Sequence, residues 1–151
     1  MLRDGYDINL LGEGFRQLAA DLNLDILLVD THPGLNEETL LSIALSHAFL
    51  VVMRPDYQDY QGTALTVDVA RELEVPNMTI LVNKAPPSMD PDRIRQTVAD
   101  AYHCPVAAVL PHSDEFMTLA SQGLFVVRYP QHPITRQLEQ VARLLLESKG
   151  A

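Results

Sequence analysis

The stretch Asp25-Ile26-Leu27-Leu28-Val29-Asp30-Thr31-His32-Pro33-Gly34 decides how this chain is read. Its continuous apolar run predicts a strand over 26–29, covered on both faces as in a parallel sheet. The run stops at a carboxylate, Asp30. A carboxylate there can hold a magnesium ion through water, because magnesium takes few carboxylates and keeps several waters. Gly34 lacks a Cβ, so its backbone N–H can approach an anionic oxygen closely. An Asx-type turn before a helix produces the same pattern, with Gly34 present only for its backbone angles.

Working outward, strand-like and helix-like segments alternate along the whole chain. Residues 8–21 place Ile8, Leu11, Phe15, Leu18 and Ala19 at helical spacing. A helix is expected over 37–47 behind Asn36 as N-cap, with Glu37 and Glu38 suiting its positive end. A strand follows over 48–53, halted by Arg54-Pro55-Asp56, then a helix over 60–74 with Asp59 as its candidate cap. The next strand is 78–82, ended by Pro86-Pro87. Asp90-Pro91 opens a helix to Tyr102, with proline in the tolerated first turn. A strand over 106–110, a helix over 114–122 closed by Gly123, an extended piece over 124–127 and a helix over 133–148 complete the pattern. Four strands alternating with helices predict an α/β fold: three layers, a mainly parallel sheet, helices on both faces. The length of 151 residues fits a single domain spanning 1–151.

Composition narrows the function. Twenty acidic residues against eleven Lys and Arg leave a net charge of −9, which disfavours autonomous binding to nucleic acid or to an anionic membrane. One cysteine, Cys104, excludes an internal disulfide and fits a reducing, cytoplasmic setting. The five histidines lack zinc-type spacing. The last helix carries Ile134, Leu138, Val141 and Leu145 on one stripe and is expected to dock on the sheet, not to anchor in a membrane.

In a sheet of this kind ligands bind outside the carboxyl ends of the strands. Those ends supply Asp30 to Gly34, then Arg54 to Asp56, then Asn83 and Lys84, then Pro111, His112, Ser113 and Asp114. Polar residues at every end predict one shared crevice, although loops are polar in any fold.

Taken together these segments carry a resemblance. Asp-Ile-Leu-Leu-Val-Asp-Thr-His-Pro-Gly-Leu looks like the Walker B and switch II segment of the MinD/ParA family of deviant-Walker P-loop ATPases. Ile80-Leu81-Val82-Asn83-Lys84 looks like that family's later strand ending in Asn-Lys or Asn-Arg. Val109-Leu110-Pro111-His112-Ser113-Asp114-Glu115 resembles its Ile-Pro-x-Asp segment, and Ala120-Ser121-Gln122-Gly123 its Ala-x-x-Gly. The four motifs occur in the family's order, within residues 20 to 145. The resemblance implies an ATP and Mg2+ site. Asp30 would hold magnesium through water and Gly34 would meet the terminal phosphate. Asn83, Lys84, Pro111 and Ser113 would border the base. It also implies nucleotide-dependent dimerisation in cellular positioning, partitioning or cell division.

One departure weighs as much as the match. The 151 residues contain no G-x-x-x-x-G-K-[ST], and their two lysines are Lys84 and Lys149. The chain therefore resembles the C-terminal part of such an ATPase domain. It is expected to be a homo-oligomer, or to be completed by a chain that supplies the missing P-loop strand. Phosphoryl transfer depends on cationic stabilisation of the phosphates, so no useful ATP hydrolysis is expected from this chain alone. A non-catalytic α/β protein-binding or scaffolding module is the alternative. A receiver-type phospho-acceptor domain ranks below both, because Asp25 and Asp30 lie on one predicted strand and do not form an acidic cluster.

Overall fold

A computed structural model describes residues 8–147. The described residues fall into two compact units, divided between Ser46 and His47.

The first unit contains α1 (Ile8–Asp21) and α2 (Glu37–Leu45), joined by a long segment without helix or strand. Asn36 caps α2 as expected, its side-chain oxygen accepting the Thr39 N–H at 2.8 Å. Gly12 is where α1 meets α2: a Cβ there would lie 3.1 Å from Leu45 Cδ2, so the contact favours glycine despite its cost in a helix. The expected strand over 26–29 is not formed. Ile26, Leu27, Leu28 and Val29 join no ladder, and they are 38% to 85% exposed. A strand exists only through hydrogen bonds to a neighbour, so an apolar run without a paired neighbour forms none and leaves its side chains uncovered.

The second unit is built on three parallel strands in the order β1 (Phe49–Met53), β2 (Met78–Ala85) and β3 (Val106–Pro111). The crossovers are α3 (Tyr57–Glu72) and α4 (Pro91–Tyr102). After β3 come α5 (Asp114–Leu119), α6 (Phe125–Arg128) and α7 (Pro133–Glu147). Alternation along the strands divides the apolar residues between two faces. Val51, Met53, Ile80, Val82 and Val109 pack with Val67 of α3 and with Ile94, Val98 and Tyr102 of α4. Leu81, Ala108 and Leu110 pack with Phe125, Ile134 and Val141. Helices thus cover both faces of a parallel sheet, as the alternating pattern predicts.

The stripe on α7 does dock on the sheet, with Leu138 and Leu145 packed beside Ile134 and Val141. No helix of the described residues is long and apolar enough to cross a membrane. The Tyr102 hydroxyl donates to the Tyr60 carbonyl at 2.8 Å, tying α4 to α3; burial pushes it up to about 12.

Three local expectations need correction. Helix α3 starts at Tyr57, three residues early, with Asp56 and not Asp59 as its cap. Asp59 instead pairs with Arg54. Helix α5 stops at Leu119, where Ala120 adopts a φ of 44°. Residues 124–127, expected to be extended, lead into the helical turn α6. One turn places Phe125 and Tyr129 on the same side, their rings 5.0 Å apart, and buries Phe125 in the core, which overrides a strand-like local composition.

Candidate functional site

Within the first unit, Asp30, Thr31, His32, Asn36, Glu38 and Thr39 line a cavity of about 210 Å³. The Asp30 residue is exposed. Gly34 has a φ of 93°, and a Cβ built there would meet nothing within 4 Å. Conformation alone therefore demands glycine at this position, in the left-handed half of backbone space.

In the second unit the carboxyl ends of β2 and β3 form a continuous polar edge. The β2–β3 register breaks between Val82 and Ala85, so Asn83 and Lys84 form a bulge. Lys84 takes a φ of 55°, uncommon for a residue with a Cβ. Asn83 Oδ1 accepts the Lys84 N–H at 2.9 Å and fixes the bulge, leaving the Asn83 amide NH2 as a spare donor. Bulges of this kind re-aim side chains and concentrate beside functional sites. Pro111 lies opposite Ala85, and the His112 N–H donates to the Ala85 carbonyl at 2.9 Å. The Asn83–Lys84 bulge and the 111–113 segment are thereby held side by side.

Ser113 is the N-cap of α5. Its Oγ accepts the Phe116 N–H at 3.1 Å and donates to Glu115 Oε2 at 2.8 Å. The Glu115 backbone N–H and the Ser113 hydroxyl hold the Glu115 carboxyl below its usual range. The Ser113 side chain is thus committed to the helix, and its backbone remains the part that can face a ligand. His112 Nε2 lies 3.3 Å from Asp114 Oδ1.

At the end of β1, Arg54 donates to Asp59 through its backbone N–H at 2.7 Å and its guanidinium at 3.1 and 3.2 Å, and lies 3.3 Å from Asp56. The hydrogen bond from Arg54 holds the Asp59 carboxyl below its ordinary value. A carboxylate with a depressed folded pKa contributes stability above its unfolded value and loses it as pH falls through the folded value. Asp59→Asn is therefore expected to lower stability at neutral pH, with the deficit shrinking below about pH 4. Thermal melts of both proteins across that range check this; a deficit that stays constant would contradict it.

Among the described residues no group of three or more His, Cys, Asp or Glu converges as a metal centre would. The bulge and the His112–Asp114 pair were not legible in the sequence. Asn83-Lys84 reads there as the plain end of a strand, and nothing in it signals a residue at positive φ.

A parallel sheet with helices on both faces and a polar edge at the strand ends defines a three-layer α/β protein. The fold is that of MinD. The chain is similar to the MinD cell division protein of Aquifex aeolicus, with a TM-score of 0.77 and 14% identity, over 96% of this chain and 63% of that one. It is likewise similar to the MinC:MinD cell division protein complex of Aquifex aeolicus, at 0.76 and 15% identity, over 98% of this chain and 62% of that one. A curated relative, an uncharacterized ATP-binding protein of Methanocaldococcus jannaschii, is 21% identical over 127 residues, covering 83% of this chain. The chain spans 48% of that relative's length. No protein-family model matches the sequence. The resemblance to MinD/ParA ATPases therefore holds at the level of the fold.

Proposed function

We infer that the chain is the C-terminal part of a MinD/ParA-like nucleotide-switch ATPase domain and carries the base side of an ATP site. The observation that carries this reading is the Asn83–Lys84 bulge bonded beside Pro111–Ser113. A spare amide donor, a cationic side chain and backbone groups meet there at the carboxyl edge of a parallel sheet. The chemistry of these groups fits a purine base and its ribose. In the first unit, Asp30, Thr31 and Thr39 line a cavity large enough for a cation that keeps its waters. These residues fit Mg2+ held indirectly, and magnesium would there neutralise phosphate charge. The ATP-binding relative and the MinD likeness support a nucleotide as ligand. A role in partitioning or cell division, with dimerisation through the nucleotide, is the part this chain would serve within a longer protein or with a partner. The 151 residues hold no loop that cradles phosphates, so these residues by themselves bind nucleotide weakly and do not turn it over.

The test is a titration of the purified chain with fluorescent ATP and magnesium. Saturable binding is expected, weakened about tenfold by Asn83→Ala through loss of a hydrogen bond to the base. Absence of binding up to millimolar nucleotide would favour the second reading, a protein-binding or scaffolding module. The observation behind that alternative is the uncovered apolar run Ile26–Val29, a surface of the kind that partners cover.

A further inference from the structure

We propose that Arg95 and Gln137 close the free edge of the sheet at β3, and that without them β3 pairs with the β3 of a second copy of this chain. Among the described residues β3 is bonded to β2 alone, so its outer side is an edge. The direction of its carbonyls follows from the register. The Ile80 N–H donates to the Pro105 carbonyl at 2.9 Å. Ile80, and Val82 two residues on, therefore turn their backbone groups toward β3. In a parallel pair the residue opposite such a position turns its own groups away. Val106 and Val109 are those opposite residues, and their carbonyls point outward.

Both outward carbonyls are taken by side chains that reach them from opposite faces of the sheet. A guanidinium N–H of Arg95, on α4, donates to the Val106 carbonyl. The Gln137 amide, on α7, donates to the Val109 carbonyl at 3.4 Å. Gln137 Oε1 is buried with no partner among the described residues, which is costly; the carbonyl it covers, not packing, accounts for an amide there. Ala107 is a further obstacle. Val106 pairs with Ile80 and Ala108 with Leu81, so Ala107 is an extra, bulged residue. It sets the outward carbonyls three residues apart, where a regular strand repeats every two. Edge strands offer unpaired backbone groups to other strands, and charged side chains and bulges blunt them. Here both guard an apolar run, Val106-Ala107-Ala108-Val109-Leu110, of the composition that pairs with copies of itself. A two-fold axis beside β3 would set two such edges antiparallel, so a second copy is the partner kept out.

The experiment compares the full chain with Arg95→Met, Gln137→Leu and the double variant, which keep side-chain bulk and remove the donors. Circular dichroism checks folding, analytical ultracentrifugation gives the mass over a concentration series, and hydrogen exchange locates the protected amides. The double variant is expected to approach about twice the wild-type mass at high concentration, with exchange slowed at the β3 amides and not at those of β1. Each single variant should associate more weakly, and Arg95→Lys, which keeps a donor, should stay at the wild-type mass. A double variant that holds the wild-type mass at every concentration would overturn the inference, because the two side chains would then only satisfy carbonyls. Association that leaves β3 exchange unchanged would overturn it too. If the double variant does not fold, the single variants decide the matter on the same two readouts.

Discussion

Ile80→Ala is expected to cost about 2–5 kcal/mol of stability, the range for truncating a large aliphatic side chain in a packed core. Ile80 is fully buried at the centre of β2, with Val51 of β1 and Val106 of β3 as its register partners. It also packs in the cluster that joins the sheet to α3 and α4. Strands on both sides and helices above fix its surroundings, so the cavity left by truncation cannot readily collapse. For a chain of this size the melting temperature should fall by on the order of 10 °C. Urea denaturation followed by far-ultraviolet circular dichroism measures the loss. Val52→Ala provides the control, because Val52 is 57% exposed although it lies in the same sheet; it should shift stability by less than about 1 kcal/mol. Equal losses in the two variants would mean that the face covered by α3 and α4 is not the core it is described to be.

The contrast between Ile80 and Leu28 shows what the sequence pattern can and cannot convey. Both lie in short apolar runs, and both are expected in buried strands. Local composition reports that a residue prefers a covered, extended position. It carries no information on whether a neighbour is present to cover it. The 78–82 run has a strand on each side and is buried; the 26–29 run joins no ladder and is not. Helix starts were more legible, because capping is local chemistry. Asn36 accepts from Thr39, and Asp90 accepts the Asp92 N–H ahead of Pro91 in the first turn. Asp59 misled for a tertiary reason: Arg54, five residues back, claims its carboxylate, and Asp56 takes over the cap. At the candidate site the residues Asn83, Lys84, Pro111 and Ser113 were identifiable from position and resemblance. The bulge that brings the first pair beside the second was not, since it arises from the β2–β3 register.

Phe125→Ala is expected to cost about 3–5 kcal/mol, and its effect should reach the candidate site. Phe125 is the hub of an aromatic group: Phe116 stacks on it at 4.6 Å, Tyr129 lies at 5.0 Å, and His132 meets it edge-on at 5.1 Å. It is also the buried residue through which α6 joins the core formed by Leu81, Leu110, Ile134 and Val141. Helix α5 has six residues, none buried, and a helix that short does not persist without tertiary support. Phe116 on Phe125 and Leu119 against the same core supply that support. Removing the Phe125 ring should therefore loosen α5 and, through the Ser113 cap, the segment beside the Asn83–Lys84 bulge. Two readouts separate the consequences. Chemical denaturation gives the global loss, and hydrogen exchange of the α5 amides gives the local one, expected to rise more than that of α4. Phe125→Leu keeps apolar bulk without a ring and should fall between wild type and alanine on both. If α5 exchange were unchanged in Phe125→Ala while global stability fell, Phe125 would serve the core alone and α5 would owe its order to something else. If both change, any nucleotide affinity should fall in the same order, from wild type through leucine to alanine, because the edge proposed to carry the base is then only as rigid as the aromatic group beneath it.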